Sequence, residues 1–476
     1  MNSSASFDSP SATPLQDQAL SQPPPHLTAA LWRCCAFGDG AGARLLLARG
    51  VDPNAILEQE HEAWALLNLG AHAKRGAMDG ATPLIFASRM GSAPVFDALM
   101  EAGADFSARD HHGVGPLIAA LKSQRIKVAE RALDAFDRAG PDCALELGAL
   151  TESARWGRRP FVERLLSLGA DPNESFGGSN PVTAAAEHGL TWLMTRLVHA
   201  GARIDEPRAR DGATALALAA RRGDRAFMEA AFALGADPDR PASGLSPLHW
   251  VVLRPDPMAI QLLAARTKNV DSICPATGLT PLGRAARGGK ADAMRTLLAA
   301  GANPHDVGGG LNALMSTFGF REAGDYAAPS RNACMELAIA AGVDLEACDA
   351  RGDWPLKNAL YDFRCSNKGH AVLLLQAGSN TEHLGEDGLT LLESCALRCL
   401  KPGSSVGIEH VKPLLAYGAR ITEPIKAIMR DTSWKAKYRW SLDWFDDLQA
   451  AALLQDEVEE LSKIAHPTLK NGPRRV

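Results

Sequence analysis

Apolar and polar positions recur in one order along residues 27–420. A turn-forming pair leads to Thr or Ser, then Pro, then a short alanine-rich apolar run. A Gly follows, then a second apolar run with paired leucines, closed by Gly-Ala-Asp. The closing phrase reads "LLSLGADPN" (165–173), "LVHAGARID" (197–205), "AFALGADPD" (231–239) and "LLAAGANPH" (297–305). Its glycines, Gly169, Gly201, Gly235 and Gly301, lie 32, 34 and 66 residues apart, the last gap being two units with "LLAARTKNVD" (262–271) between. Weaker copies stand at Gly50, Gly103, Gly342, Gly378 and Gly418, so the period is close to 33. A fixed period of this length predicts a stacked repeat array.

The opening phrase reads "DGATPLIFASRMG" (79–91), "DGATALALAARRG" (211–223), "SGLSPLHWVVLRP" (243–255), "TGLTPLGRAARGG" (277–289) and "RGDWPLKNALYDF" (351–363). Asp-Gly suits a tight turn with positive φ. Thr82, Thr214, Ser246 and Thr280 fall where a side-chain oxygen caps a helix, and Pro in the first helical turn gives up no needed N–H. Alanine in the first helix lets a neighbour approach closely. The second helix ends at the Gly of "LGAD". One such pair cannot bury its apolar face alone; stacked neighbours can.

This grammar resembles the ankyrin repeat, with about ten or eleven units over 27–420. The resemblance implies an all-α solenoid of stacked helix-turn-helix units with short turn or hairpin fingers, the fingers and first helices lining a concave face. It also implies a role for His249, in the unit that keeps the family's histidine. That residue bonds neighbouring backbone and ties adjacent units, so "SPLH" is scaffold rather than a Ser/His catalytic pair.

Several segments depart from the pattern. Residues 55–78 form an insert with enough apolar periodicity for an extra helix. Three links between paired helices are stretched, at 318–332, 362–369 and 399–407. All occupy the same place in the unit, so they emerge on one edge, a frequent binding face. In 421–465 Trp440, Trp444, Leu448, Ala451, Leu454, Val458 and Leu461 step by three or four. This predicts an amphipathic helical cap on the C-terminal end, or alternatively a Trp-anchored partner helix. The Ser/Pro-rich arm 1–26 and the tail 466–476 are predicted to be disordered.

Composition narrows the function classes. Apolar residues make up 46% and aromatic residues 6%, which favours packed helices over a β-sandwich. A net charge of −5 argues against nucleic-acid binding. No stretch is apolar enough to cross a bilayer, so no membrane insertion is expected. Nine scattered cysteines read as reduced thiols of a cytoplasmic protein. Thirty-six arginines against fourteen lysines suggest a GC-rich, bacterial source. "HEAWA" (61–65) lacks the second histidine of a zinc-protease helix. "DHHG" (110–113) lacks an acyltransferase cysteine, and "GDGAGA" (38–43) follows a helix rather than a strand. No catalytic, cofactor-binding or metal-binding residue is predicted, and the chain is not expected to be an enzyme.

One row stands out. Aligning the first helices puts Arg89, Arg155, Arg221, Arg254 and Arg287 at one position, with Glu187 as the exception. Arginine there opposes the helix dipole; a ladder of guanidinium groups also fits an acidic partner segment. With His111 and His112 at a turn tip, and Arg321, Tyr326 and Arg364 in the long links, these are the candidate partner-binding residues. The expected function is a monomeric scaffold holding an unidentified protein partner. The alternative is a bacterial effector secreted into a host cell, its Ser/Pro-rich start being the export signal. An enzyme carrying ankyrin repeats is disfavoured, since the array leaves little chain for a catalytic domain.

Overall fold

The computed structural model describes residues 25–56, 80–139, 145–318, 328–361, 369–385, 387–399, 408–423, 425–426 and 450. Among these stand 22 helices and no strand. β-type pairing there is confined to three isolated bridges at finger turns: Phe176 with Ser179, Ala242 with Leu245 and Leu384 with Thr390. The chain divides into two units: Met1–His188 with Arg196–Arg203, and Gly189–Thr195 with Ile204–Val476. Residues 57–78 of the predicted insert, most of the three long links, nearly all of the predicted cap, the tail, and the arm up to residue 24 lie outside the described residues. The helix Ala328–Ala340 takes in the end of the 318–332 link. Its Pro329 sits in the first turn, where a missing N–H costs nothing.

In the first unit the helix pairs are Pro25–Phe37 with Gly40–Ala48, Pro83–Met90 with Ala93–Glu101, Pro116–Lys122 with Ile126–Ala139, and Ala149–Arg155 with Arg159–Ser167; Pro181–His188 follows. The second unit begins its pairs with Ala215–Arg222 and Arg225–Ala233, then Pro247–Val251 and Pro257–Ala264, then Pro281–Arg287 and Ala291–Ala299. Ala313–Ser316 with Ala328–Ala340, Pro355–Tyr361 with Gly369–Gln376, and Leu391–Cys399 with Ile408–Ala416 complete it.

Local chemistry fixes these boundaries. Thr82, Thr214 and Thr280 accept from the N–H three residues on, at 3.4, 3.2 and 3.2 Å. Asn312 does the same for Met315 at 2.8 Å. Second helices are capped by Asp39, Asp224 and Asp256. Between helices the chain reverses through Gly223 at φ 76°, and the second helix stops at Gly235 at φ 86°, a conformation that strains any residue with a Cβ.

The core has two textures. First helices bury alanine in runs: Ala215, Ala217, Ala219 and Ala220 are inaccessible or nearly so, as are Ala184, Ala185 and Ala186. Second helices contribute the bulk through Leu165, Leu197, Leu263 and Leu297, all fully buried. Each buried leucine stabilises by about 1.5–3 kcal/mol relative to exposure.

Polar side chains after the closing phrase bind the next repeat's backbone. In the first unit Asn54 accepts from Asp105 N at 2.7 Å, and Asn173 from Arg203 N at 2.8 Å. In the second, Asp205 accepts from Asp237 N, Asp239 from Lys268 N and Asp271 from Asn303 N, at 3.1, 2.9 and 3.0 Å. Glu346 and Glu382 extend the series to Asn380 N and Arg420 N, each at 2.8 Å. Successive repeats are thereby held in register by hydrogen bonds to neutral side-chain amides in the first unit and to carboxylates, the stronger acceptors, in the second.

Candidate functional site

His249 lies on Pro247–Val251 and is 1% exposed. Its Nδ1 meets Ser246 Oγ at 2.8 Å and its Nε2 meets the Leu279 carbonyl at 3.1 Å. The second bond reaches the following repeat, as the family resemblance implied. A carbonyl on Nε2 calls for an N–H there, which leaves Nδ1 to accept from the serine. Burial first, and the Arg284 charge, hold the imidazole down to about 4, so it stays neutral near pH 7. Ser246 thus departs from the capping role expected of it: its hydroxyl is taken by His249 and makes no cap hydrogen bond. Both side chains are buried, Ser246 at 8% exposed, and both are taken up in holding the turn and the next repeat.

The first-helix row differs between the units. In the first unit Arg89 Nη2 pairs with Asp110 Oδ2 at 3.3 Å. The other oxygen of Asp110 accepts from His112 N and Val114 N, so "DHHG" is a turn organised by its aspartate. His111 and His112 are exposed at that tip. The His111 ring lies against the preceding finger, where a Cβ on Gly80 would come within 2.5 Å of it. Arg155 bridges two carboxylates, Glu152 at 3.6 Å and Glu187 at 3.2 Å. Burial pushes the Glu152 carboxyl up, while Arg155 and Lys122 pull it down.

Two further carboxylates there do a job that the sequence reading missed. The cap positions of two first helices hold Gly115 and Gly148, which have no side chain to offer. Glu146, from the next finger, accepts from Leu117 N and Ile118 N at 2.9 Å each. Glu174, one finger further on, accepts from Gly148 N and Thr151 N at 2.9 and 2.7 Å. Burial raises both carboxyls and the N–H donors offset part of the rise. A glycine in the cap slot followed about thirty residues later by a finger glutamate was the available signal.

In the second unit one member of the row, Arg221, lies over an aromatic ring that it shares with Arg284, a residue outside the row. The guanidinium carbons of Arg221 and Arg284 lie 5.9 and 5.4 Å from the Trp250 ring centroid, one from the preceding repeat and one from the following. Arg254 does not share the register expected of it. The Pro247–Val251 helix is only five residues long, ahead of Pro255, and Arg254 falls in the turn beyond. From there its Nε donates to the Arg221 carbonyl, capping the previous first helix. Arg287 is exposed in the last turn of Pro281–Arg287. Lys122, in register with Arg89, was overlooked; its Nζ lies 4.8 Å from the Phe176 centroid. Arg321, Tyr326 and Arg364 lie outside the described residues.

No described helix is long and apolar enough to cross a membrane. Among the described residues no group of three or more His, Cys, Asp or Glu is placed to hold a metal ion.

Comparison with known proteins places family matches on both units. The ankyrin repeat model matches residues 79–111, and a model of three ankyrin repeats matches 216–308. The chain is 29% identical over 175 residues to ankyrin repeat protein nuc-2 of Neurospora crassa, covering 36% of this chain and 16% of that one. It is 36% identical over 107 residues to human SH3 and multiple ankyrin repeat domains protein 2, covering 21% of this chain and 6% of that one. The matched segments are thus a small part of these relatives. Among solved structures, the ankyrin repeat domain of Bcl-3 aligns with 24% identity and a TM-score of 0.39, over 44% of this chain and 92% of that domain. The human ASB11 ankyrin repeat domain aligns with 21% identity and a TM-score of 0.39, over 50% and 98%. The chain carries ankyrin repeats at 79–111 and 216–308, and caps, turns and inter-repeat hydrogen bonds recur at the period of these matches.

Proposed function

We propose that this chain is a non-catalytic scaffold that holds a protein partner against its first helices and fingers. The observation that carries the reading is the row of side chains set by the repeat. Arg89, Lys122, Arg155 and Glu187 stand at one helix position in the first unit, and Arg221 and Arg287 in the second. Behind the row the helices are locked by buried alanine and by the inter-repeat ladder, so the surface is held rigid before a partner arrives. Ankyrin repeats in a multidomain relative such as SH3 and multiple ankyrin repeat domains protein 2 accord with a modular role. The test is cross-linking of the immobilised full chain to proteins of its source cell. A stoichiometric partner cross-linked to first helices and fingers is expected. Cross-links confined to the outer faces of second helices, or no stoichiometric partner, would refute it.

A further inference from the structure

We propose that the inter-helix turns of two neighbouring repeats in the first unit form a docking cleft for an acidic protein segment. Its ligand presents one phenylalanine side chain between carboxylates. The cleft lies at the end of the helix pairs away from the fingers. The assignment therefore goes beyond the surface named above and rests on that reading only in taking a protein as ligand.

Shape comes first. Between the turns that follow Pro116–Lys122 and Ala149–Arg155 the surface is hollowed into a shallow cleft of about 240 Å³, part of it open to solvent. Leu121, Ala129 and Phe161 line it and are buried; Ile126 and Trp156 also line it and are each 39% exposed. Small-molecule pockets run to about 300–1,000 Å³, so this cleft has the size for a single side chain. Phe37 and Met90, in register with Trp156 ahead of their own turns, are exposed too, which continues the apolar edge towards earlier repeats. Gln124 takes φ 56° in the slot that Gly91, Gly157 and Gly223 fill in other repeats. A residue with a Cβ is strained there, and the side chain gained lines the cleft.

Charge comes second. Arg125 and Arg158 line the same cleft, and no Asp or Glu does. Neither arginine has an ion-pair partner among the described residues. Both stand immediately before a second helix, in the slot where Asp39, Asp224 and Asp256 cap theirs. Arginine has no acceptor to cap with, Arg158 makes no cap hydrogen bond, and the helix dipole repels a cation at a helix start. Two successive repeats thus keep a residue that their own helices disfavour, which accords with a position held for a ligand. The Arg125 stem lies over the preceding turn, where a Cβ on Gly91 would come within 2.4 Å of its Cδ, so its head is restrained. Carboxylates flanking an apolar side chain in the cleft pair with the two guanidinium groups. A membrane fits less well, since a lipid surface gains nothing from a hollow between two repeats.

The test uses the full chain and a fluorescein-labelled peptide, one central Phe with Asp and Glu on both sides, read by fluorescence anisotropy. Saturable, salt-sensitive binding is expected, weakened about tenfold by the double variant R125D/R158D and about fivefold by Trp156→Ser. Because aspartate restores the cap, R125D/R158D is expected to melt no lower than the parent chain, which separates a ligand role for the arginines from a structural one. Leu45→Ser, at an exposed leucine on Gly40–Ala48 outside the cleft, is expected to leave binding unchanged. Peptides with Ala for Phe, or with Asn and Gln for the acids, should bind about tenfold more weakly. Circular dichroism melts check folding, and the neutral pair R125Q/R158Q, expected to weaken binding about threefold, carries the test if the aspartates unfold the unit. Absence of peptide binding, equal binding by the arginine or tryptophan variants, equal binding of either control peptide, or phosphatidylserine vesicles bound in preference to the peptide would each overturn the proposal. If the peptide fails while a cellular partner still cross-links to first helices and fingers, this site falls and the scaffold reading stands. If the peptide binds as expected and no cellular partner is captured there, the scaffold reading falls and this site stands.

Discussion

The two units solve the same electrostatic problem in opposite ways. Both place cations at the ends of short first helices, where they favour the helix dipole. The first unit then neutralises them internally, Arg89 against Asp110 and Arg155 against Glu152 and Glu187. The second sets Arg221 and Arg284 over the Trp250 face. Capping differs at two first-unit helices, although Thr82 there caps its own helix as the second-unit threonines do. Gly115 and Gly148 leave helix starts that Glu146 and Glu174 cap from later fingers, whereas Thr214, Thr280 and Asn312 cap their own helices. Carboxylates join repeats in both units, but only in the first do they also cap and neutralise the first helices at Glu146, Glu152, Glu174 and Glu187.

The largest effect should come from the borrowed caps. Glu146→Ala leaves the N–H groups of Leu117 and Ile118 buried without their acceptor, a loss of about 4 kcal/mol. Thr214→Ala in the second unit should cost only about 1 kcal/mol. Urea unfolding gives the totals, and hydrogen exchange assigns each loss to its unit; comparable losses would erase the contrast.

Next comes the pH response of the second unit. His249 is depressed from 6.5 to about 4 in the fold. Its stabilising contribution is therefore complete above pH 6.5, declines as the unfolded chain takes up the proton, and is lost as the pH falls through 4. The span is on the order of 3 kcal/mol. His249→Gln should flatten unfolding free energy against pH across that window, although the variant is less stable at pH 8.

A smaller difference separates the cations themselves. Arg155→Gln leaves buried Glu152 without its nearest cation and should lower stability by about 1–2 kcal/mol. Arg221→Gln loses one contact with a half-buried ring and should cost about 0.5 kcal/mol. Thermal melts of the two variants rank them, and the reverse order would break the comparison.

The smallest effect is confined to acid. Arg208, only 1% exposed, holds the Asp211 carboxyl down to about 2, from 3.8. That pairing stabilises above pH 4 and is lost as the pH falls toward 2. Asp211→Asn should remove this acid-side slope and nothing of the slope between pH 6.5 and 4.

Much of the fold was legible because its rules act over three or four residues. Thr82, Thr214 and Thr280 cap helices that begin at the next residue, and the "LGAD" glycine marks where second helices stop. The exceptions came where a contact outside that range took over. Ser246 has the capping chemistry, but a histidine three residues on holds its hydroxyl. Arg254 looked in register, but the five-residue helix and Pro255 move it into the turn.

The sequence by itself determined the period, the helix starts and stops, and the alanine faces that let first helices approach. All are local preferences repeated until the pattern is unmistakable. Only the tertiary structure decided which carboxylate caps which helix, which cations are neutralised inside the stack, and which two arginines share one tryptophan. Apart from Arg155 with Glu152, those pairings join residues of different repeats, which only stacking brings within reach.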